Sequence, residues 1–235
     1  MKKLIKKLIG LIVLACVCVC GFYTAMGYAM YKTEIREESI EERIEKVREG
    51  ENFTPLSSVP KIYKDAVIAV EDSRFYRHGG VDIVSLVRAF AVNFREKDFV
   101  QGGSTISQQF AKNLLFSHKQ SLSRKIAELF ATYYIEKNYE KDEILELYMN
   151  VIYYGDGYYN IYDASMGYFG VAPDKMSDYQ ATLLSGVPNA PSVYAPTKNP
   201  ELAHKRQEKV LKRMVETGVM TEERRNEILK ERQEK

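Results

Sequence analysis

What this 235-residue chain lacks narrows its class early. Its three cysteines, Cys16, Cys18 and Cys20, all stand inside one apolar run near the N-terminus. The remainder therefore has no disulfide framework and no thiolate metal site. There is no basic excess either: with Lys2, Lys3, Lys6 and Lys7 set aside, 30 basic residues face 32 acidic ones. A nucleic-acid binder is ordinarily basic as a domain, so no nucleic-acid partner is expected. Apolar/polar alternation is scarce, internal repeats are absent, and proline clusters at 188–200 (PNAPSVYAPTKNP). The 45% hydrophobic and 28% charged content excludes a disordered or fibrous chain. What remains is a mainly α globular domain of ordinary size with an N-terminal appendage.

That appendage is specific. Residues 8–31 (LIGLIVLACVCVCGFYTAMGYAMY) carry no charge over 24 positions. A helix needs about 20 apolar residues to cross the hydrocarbon core. A secretory signal peptide has a shorter apolar region, ~7–15 residues, and a small-x-small cleavage site, which is not evident here. We expect a basic cytoplasmic tail over 1–7 and a transmembrane helix over 8–31. The four lysines ahead of the run place the N-terminus inside and the rest outside by the positive-inside rule. TEIREESIEERIEKVRE (33–49) then carries Ile35, Ile40, Ile44 and Val47 among charges, with Gly50 as a stop. It predicts a stalk helix, within a segment 32–56, that holds the domain near the bilayer.

The following chain reads as capped helices. Pro60 opens one with Ile62, Ala66, Val67 and Val70 on a face, and Glu71 arrives at its end. Asp82, Ser121 and the pair Ser177/Gln180 read as N-caps of later helices. In QGGSTISQQFAKNL (101–114) either Ser104 or Thr105 suits the cap. Thr105, Gln109 and Lys112 then share one face, while Ile106, Phe110 and Leu114 point into the core. A helix N-terminus followed by a lysine suits an anion, though the spacing is not that of a P-loop. Gln108 and Gln109 beside Lys112 concentrate amides and charge beyond what a surface helix needs. In SRKIAELF (123–130), Arg124 and Lys125 stand at i, i+4 and i, i+3 spacing with Glu128. That reads either as surface ion pairing or as two cations for a leaving phosphate beside a carboxylate. Glu71 and Glu128 with these groups suggest glycosyl transfer, one carboxylate handling protons and the cations holding the leaving group. Outside the membrane, a sugar donor activated by a lipid pyrophosphate is the fitting substrate.

Five segments then occur in one order: EDSRFYRHGGVD (71–82), GGSTISQQFAKN (102–113), RKIAE (124–128), KDEILELYMNVIYYG (141–155) and LLSGVPNAPSVYAP (183–196). Together they resemble the peptidoglycan glycosyltransferases of glycosyltransferase family 51, over about residues 57–220. The chain is similar to the monofunctional form, as no SxxK–KTG penicillin-binding domain follows. Residues 221–235 are expected to form a charged C-terminal helix. The resemblance implies a lysozyme-like, mainly α fold with a small mobile jaw near the membrane, around FREKDFVQ (94–101). It implies a bacterial cell-membrane enzyme of cell-wall biogenesis and cell shape, acting on lipid II and a lipid-linked nascent glycan, alongside other cell-wall synthesis proteins.

Residue by residue, the resemblance makes Glu71 the general base for the acceptor's 4-hydroxyl. The donor's pyrophosphate leaves with inversion to a β-1,4 linkage. Glu128 is the second catalytic carboxylate, and Ser104, Gln108, Gln109, Lys112, Asn113, Arg124 and Lys125 match substrate-binding positions. Asp72 reads mainly as a turn-shaping residue and also as a substrate contact; His78 and Phe75 read as structural. No spacing demands a metal, so no cofactor is required, although a divalent cation (Mg or Mn) at the pyrophosphate is compatible with the family. One departure stands out: Gln120 occupies the place of a frequent arginine, with Lys119 beside it. Two rival readings are a lysozyme-like hydrolase or lytic enzyme, which also uses paired carboxylates, and a non-enzymatic membrane scaffold.

Overall fold

The uncharged N-terminal run forms one helix, α1 (Lys2–Glu34), in the computed structural model, which describes residues 2–96, 102–116 and 121–231. It is long and apolar enough to cross a membrane, with Leu4, Leu11 and Val17 all exposed. Its last turns are not a free tether. Tyr28 meets Phe130 edge-on with ring centroids 5.2 Å apart, and Tyr31 is buried. Gly27 permits the approach, since a Cβ there would stand 2.5 Å from Cγ2 of Ile126.

The segment expected as a stalk also packs into the domain. Helix α2 (Ile40–Arg48) starts from a capping box between Ser39 and Glu42. Ile40 and Ile44, one turn apart, are buried in the main core. Its charges occupy the opposite face, which is why the sequence alone reads as solvated. The folded body therefore takes in residues ahead of position 57.

Helix α3 (Lys61–Glu71) starts after Pro60 and stops where Asp72 leaves helical geometry (φ −154°, ψ 73°). Asp82 caps α4 (Ile83–Glu96), its Oδ1 accepting from the Ser85 N–H at 3.1 Å. Thr105, not Ser104, caps α5 (Ile106–Leu115), and Ser121 caps α6 (Leu122–Asn138). Helix α7 (Lys141–Val151) is wholly buried along Ile144, Leu145, Leu147, Tyr148 and Met149. Then come α8 (Ile161–Phe169), α9 (Asp178–Gly186) from its Ser177/Gln180 box, the single turn α10 (Pro191–Tyr194), α11 (Pro200–Glu216) and α12 (Glu222–Glu231).

Two cores organise these helices. The main one joins α2, α3, α5, α6, α7 and α8; a smaller one joins α3, α9, α11 and α12 through Ala66, Ala69, Tyr179, Val210, Leu211, Met214 and Ile228. Helix α3 contributes Tyr63 and Val67 to the first and Ala66 and Ala69 to the second. Its C-terminal end, carrying Glu71, is thereby fixed from two sides. Among the described residues all regular elements are helical, as the mainly α expectation requires. Of the expected jaw, α4 runs to Glu96, and residues 97–101 lie outside the described residues.

Candidate active site

Three helices contribute the polar groups of one cleft of about 330 Å³. Glu71 closes α3, Gln109 and Lys112 stand one turn apart on α5, and Lys125 and Glu128 one turn apart on α6. All five line it, with Asp72, Ser104 and Gln108. Sequence spacing brought each set to one helix face; the two cores bring the faces together.

Glu71 is held at both oxygens. The Gln109 Nε2 donates to its Oε2 at 2.9 Å, and the Arg206 Nη2 donates to its Oε1 at 3.4 Å. Gln109 is oriented from behind by Tyr148, whose hydroxyl donates to Oε1 of the amide at 3.4 Å. Burial, then the nearby Glu71 charge, pushes the Tyr148 hydroxyl far above its ordinary value, so it remains a donor. The amide oxygen therefore faces Tyr148 and the NH₂ faces the carboxylate.

Glu128 is differently placed. It is 1% exposed, with Arg124 Nε and Lys125 Nζ each 3.0 Å from its oxygens. Lys125 also donates to Ser104 Oγ at 3.1 Å. The helix-spaced ion pairs foreseen for a surface thus lie in the cleft wall around a buried carboxylate, where removing one partner costs more than it does at the surface. Lys112 has no ion pair or hydrogen bond from its ammonium among the described residues. Burial, opposed by Glu128 and reinforced by Lys125 and Arg124, pulls that amine below its ordinary value. An unneutralised, desolvated cation in a cleft is a receptor for an anion.

Other expected substrate contacts have structural employment. Gln108 is buried and accepts the Thr105 N–H at 3.0 Å, completing the cap of α5. Asp72 is buried, accepts the Ile106 N–H at 3.1 Å, and stands 2.9 Å from His78 Nε2 through each oxygen. It fastens the end of α3 to the first turn of α5, so turn-shaping is the role its geometry supports. Asn113 donates to the Gln109 carbonyl at 2.8 Å and lines an adjoining cleft of about 440 Å³ instead. Phe75 is fully buried. Lys119 and Gln120 lie outside the described residues.

Asp72, His78 and Asp82 form the one group of potential metal ligands close enough together among the described residues. His78 Nε2 stands 2.9 Å from both Asp72 oxygens, and Asp82 takes Arg74 at 3.1 Å and the Ser85 hydroxyl at 2.6 Å. Burial opposes ionisation of Asp82, but Ser85 and Arg74 outweigh it and hold the carboxyl below its usual range. The carboxylate oxygens of this set have protein partners, while the buried His78 Nδ1 has none among the described residues.

Arg206, which reaches Glu71 and lines the cleft, is the site residue that sequence reasoning missed. It sits in AHKRQEK on α11, indistinguishable there from its charged neighbours. Its stem packs on Gly186, where a Cβ would meet Arg206 Cγ at 2.9 Å, and its Nε donates to the Gly186 carbonyl at 3.3 Å. That glycine, inside the LLSGVPNAPSVYAP segment, was the available signal.

With this geometry in view, a family model described as Transglycosylase matches residues 37–215. The match begins ahead of residue 57, in accord with the burial of Ile40 and Ile44. Penicillin-binding protein 1A/1B of Bacillus subtilis is 39% identical over 201 residues, 85% of this chain and 22% of that protein. Penicillin-binding protein 1A of Neisseria flavescens is 44% identical over 179 residues, 76% of this chain and 22% of that protein. A Cupriavidus necator protein provisionally named a transglycosylase is 42% identical over 171 residues, 73% of this chain and 74% of that protein. The chain thus spans about a fifth of the two penicillin-binding proteins and most of the third. It belongs to the transglycosylase family.

Proposed function

We propose that the chain polymerises peptidoglycan glycan strands at the outer face of a bacterial membrane, from lipid II and a lipid-linked growing strand. The observation that carries this is Glu71, clamped by Gln109 and Arg206, in a cleft that also presents the Lys112 ammonium, unpaired among the described residues. Glu71 takes the proton of the acceptor's 4-hydroxyl. The freed oxygen forms a bond to C1 of the donor sugar as the C1–O bond to the lipid pyrophosphate breaks. The electron pair leaves on the pyrophosphate, met by Lys112 and by Lys125 beside Ser104, and C1 inverts. Glu128, held by Arg124 and Lys125 at 3.0 Å each, orders the cation cluster and orients substrate.

This distribution favours transfer over hydrolysis. A lysozyme-like cleavage needs a protonated carboxylic acid for the leaving oxygen. Both oxygens of Glu128 are engaged by Arg124 and Lys125, while Lys112 suits a leaving group that departs as an anion. The proposed step uses only side chains of the chain itself, the groups facing the pyrophosphate being cations. Helix α1, with its four N-terminal lysines, supports a single-pass anchor with the N-terminus in the cytoplasm.

Purified full-length protein in neutral detergent should build glycan strands from lipid II and leave purified cell wall intact. Digestion of cell wall without polymer from lipid II would make it a hydrolase. Neither activity would favour a scaffold.

A further inference from the structure

The apolar helix α1 is joined to the very helix that carries half of the cation cluster. Residues 3–22 of α1 are exposed throughout, and Gly27 is buried against α6. A Cβ on Gly27 would also stand 3.0 Å from the Ser123 carbonyl oxygen, so the two backbones nearly touch. One turn further along α6, Phe130 meets Tyr28 edge-on and stacks on Tyr31 with centroids 6.2 Å apart. Lys125 and Glu128 line the cleft from the other side of the same helix. One helix diameter, about 10 Å, therefore separates α1 from the site.

A second joint ties α1 to α5. Arg43 of α2 donates from Nη2 to the Glu34 carbonyl at 3.0 Å and from Nη1 to the Leu114 carbonyl at 3.4 Å. Glu34 is the last residue of α1, and Leu114 lies in the last turn of α5, two residues after Lys112. Terminal carbonyls of a helix lack intrahelical partners, and one planar guanidinium serves two of them here. Gly27 and Arg43 thus fix α1 to both helices that present lysines to the cleft.

The length of α1 gives this rigidity a consequence. From Leu8 to Phe22, the stretch ahead of the joint, the helix measures about 22 Å. That is short of a hydrocarbon core of roughly 30 Å. On the stripe of α6 that passes through Ile126, Leu122 and Tyr133 are 58% and 69% exposed, an apolar flank beside the joint. A helix held this way cannot tilt or slide without carrying the cleft with it, so a mismatch with the bilayer is passed to the site.

We infer that α1 is a rigid strut, clasped at Gly27 and stapled by Arg43, through which bilayer thickness sets the height of Lys112 and Lys125 over the membrane. Gly27 and Arg43 are accordingly positioning residues. The assignment rests on the transferase reading, in which the pyrophosphate rides on a lipid at the membrane surface. Its height is fixed by the bilayer, so the height of the cations decides how often the two meet in productive geometry.

The test places the full chain in phosphatidylcholine vesicles with acyl chains of about 14 to about 22 carbons, with lipid II in the same bilayer. A short-chain, water-soluble lipid II analogue, given to the same proteins in neutral detergent, is the companion substrate. Wild type should polymerise membrane-borne lipid II best at one thickness and fall about fivefold or more at the extremes. Four leucines inserted after Val19 lengthen the free stretch by about one turn, roughly 6 Å, and should move the optimum to thicker bilayers. Gly27→Leu/Arg43→Gln should lose about tenfold on membrane-borne lipid II, and lose the optimum, while turning over the soluble analogue within about twofold of wild type. A flat wild-type profile, or an insertion that leaves the optimum in place, would make α1 a tether and overturn the inference, leaving the transferase reading standing. A double variant equally impaired on both substrates would make the clasp a fold element only and overturn it too. A wild type that makes no polymer from either substrate would overturn the transferase reading first, and the strut with it.

Discussion

Gln109 donates to Glu71 at 2.9 Å while its own amide oxygen is taken by the buried hydroxyl of Tyr148. One side chain thus transmits the rigidity of the α7 core to the carboxylate at the end of α3. Gln109→Ala should leave the fold intact and lower kcat/KM for lipid II polymerisation about tenfold to a hundredfold. Gln109→Glu should be worse, because it sets a like charge against Glu71. Equal activity in all three proteins would remove Gln109 from the site.

Arg206 reaches the other oxygen of Glu71 from α11 and is anchored on the Gly186 carbonyl. Arg206→Ala should depress kcat by about tenfold or more, with little change in thermal midpoint. Arg206→Lys should restore only part of the loss, since an ammonium cannot serve both the carboxylate and the carbonyl in one plane. Full activity in Arg206→Lys would reduce the residue to a charge.

Lys112 sets a pH dependence. Its amine is held below the ordinary lysine value, so it loses its proton at lower pH than an exposed lysine. Anion binding, and with it activity, should fall on the alkaline side before about pH 10.4. Lys112→Arg stays charged and should move that limb upward. For stability the sign is reversed: between the depressed folded value and the ordinary one, the unfolded chain binds the proton more strongly. The contribution of this group to stability therefore rises with pH across that window. Thermal midpoints of wild type and Lys112→Met, followed against pH, check it; the variant should lack that rise.

Glu128 is predicted to matter to the fold as well as to the reaction. Removing its charge leaves Arg124 and Lys125 facing each other at a buried carboxamide. Lys125 is 44% exposed, so solvent relieves part of the penalty, and Glu128→Gln should cost about 2 kcal/mol. That corresponds to a thermal midpoint lower by roughly 4–8 °C. An unchanged midpoint would contradict the buried network.

Much of this was legible in the sequence, for definite reasons. Pro60, Asp82, Ser121 and Ser177 mark helix starts by local chemistry that tertiary structure did not override. The faces carrying Gln109 and Lys112, and Lys125 and Glu128, follow from helical period alone. Ser104 against Thr105 was undecidable, because both hydroxyls suit a cap; Thr105 won through the box with Gln108, which employs the Gln108 amide oxygen while the residue still lines the cleft. Ile40 and Ile44 were hidden in a charged run too short to declare a buried stripe. Arg206 was hidden among the cations of α11, where only its meeting with Gly186, many residues earlier, distinguishes it. Long-range encounters of this kind leave little local trace.

The most direct test of the central claim is polymerisation of purified lipid II by wild type and Glu71→Gln, with thermal midpoints measured on the same samples. The account predicts glycan strands from the wild type, a loss of about a hundredfold or more in the variant, and closely matching midpoints. Equal polymer from a folded Glu71→Gln protein would contradict the assignment of Glu71 as the base.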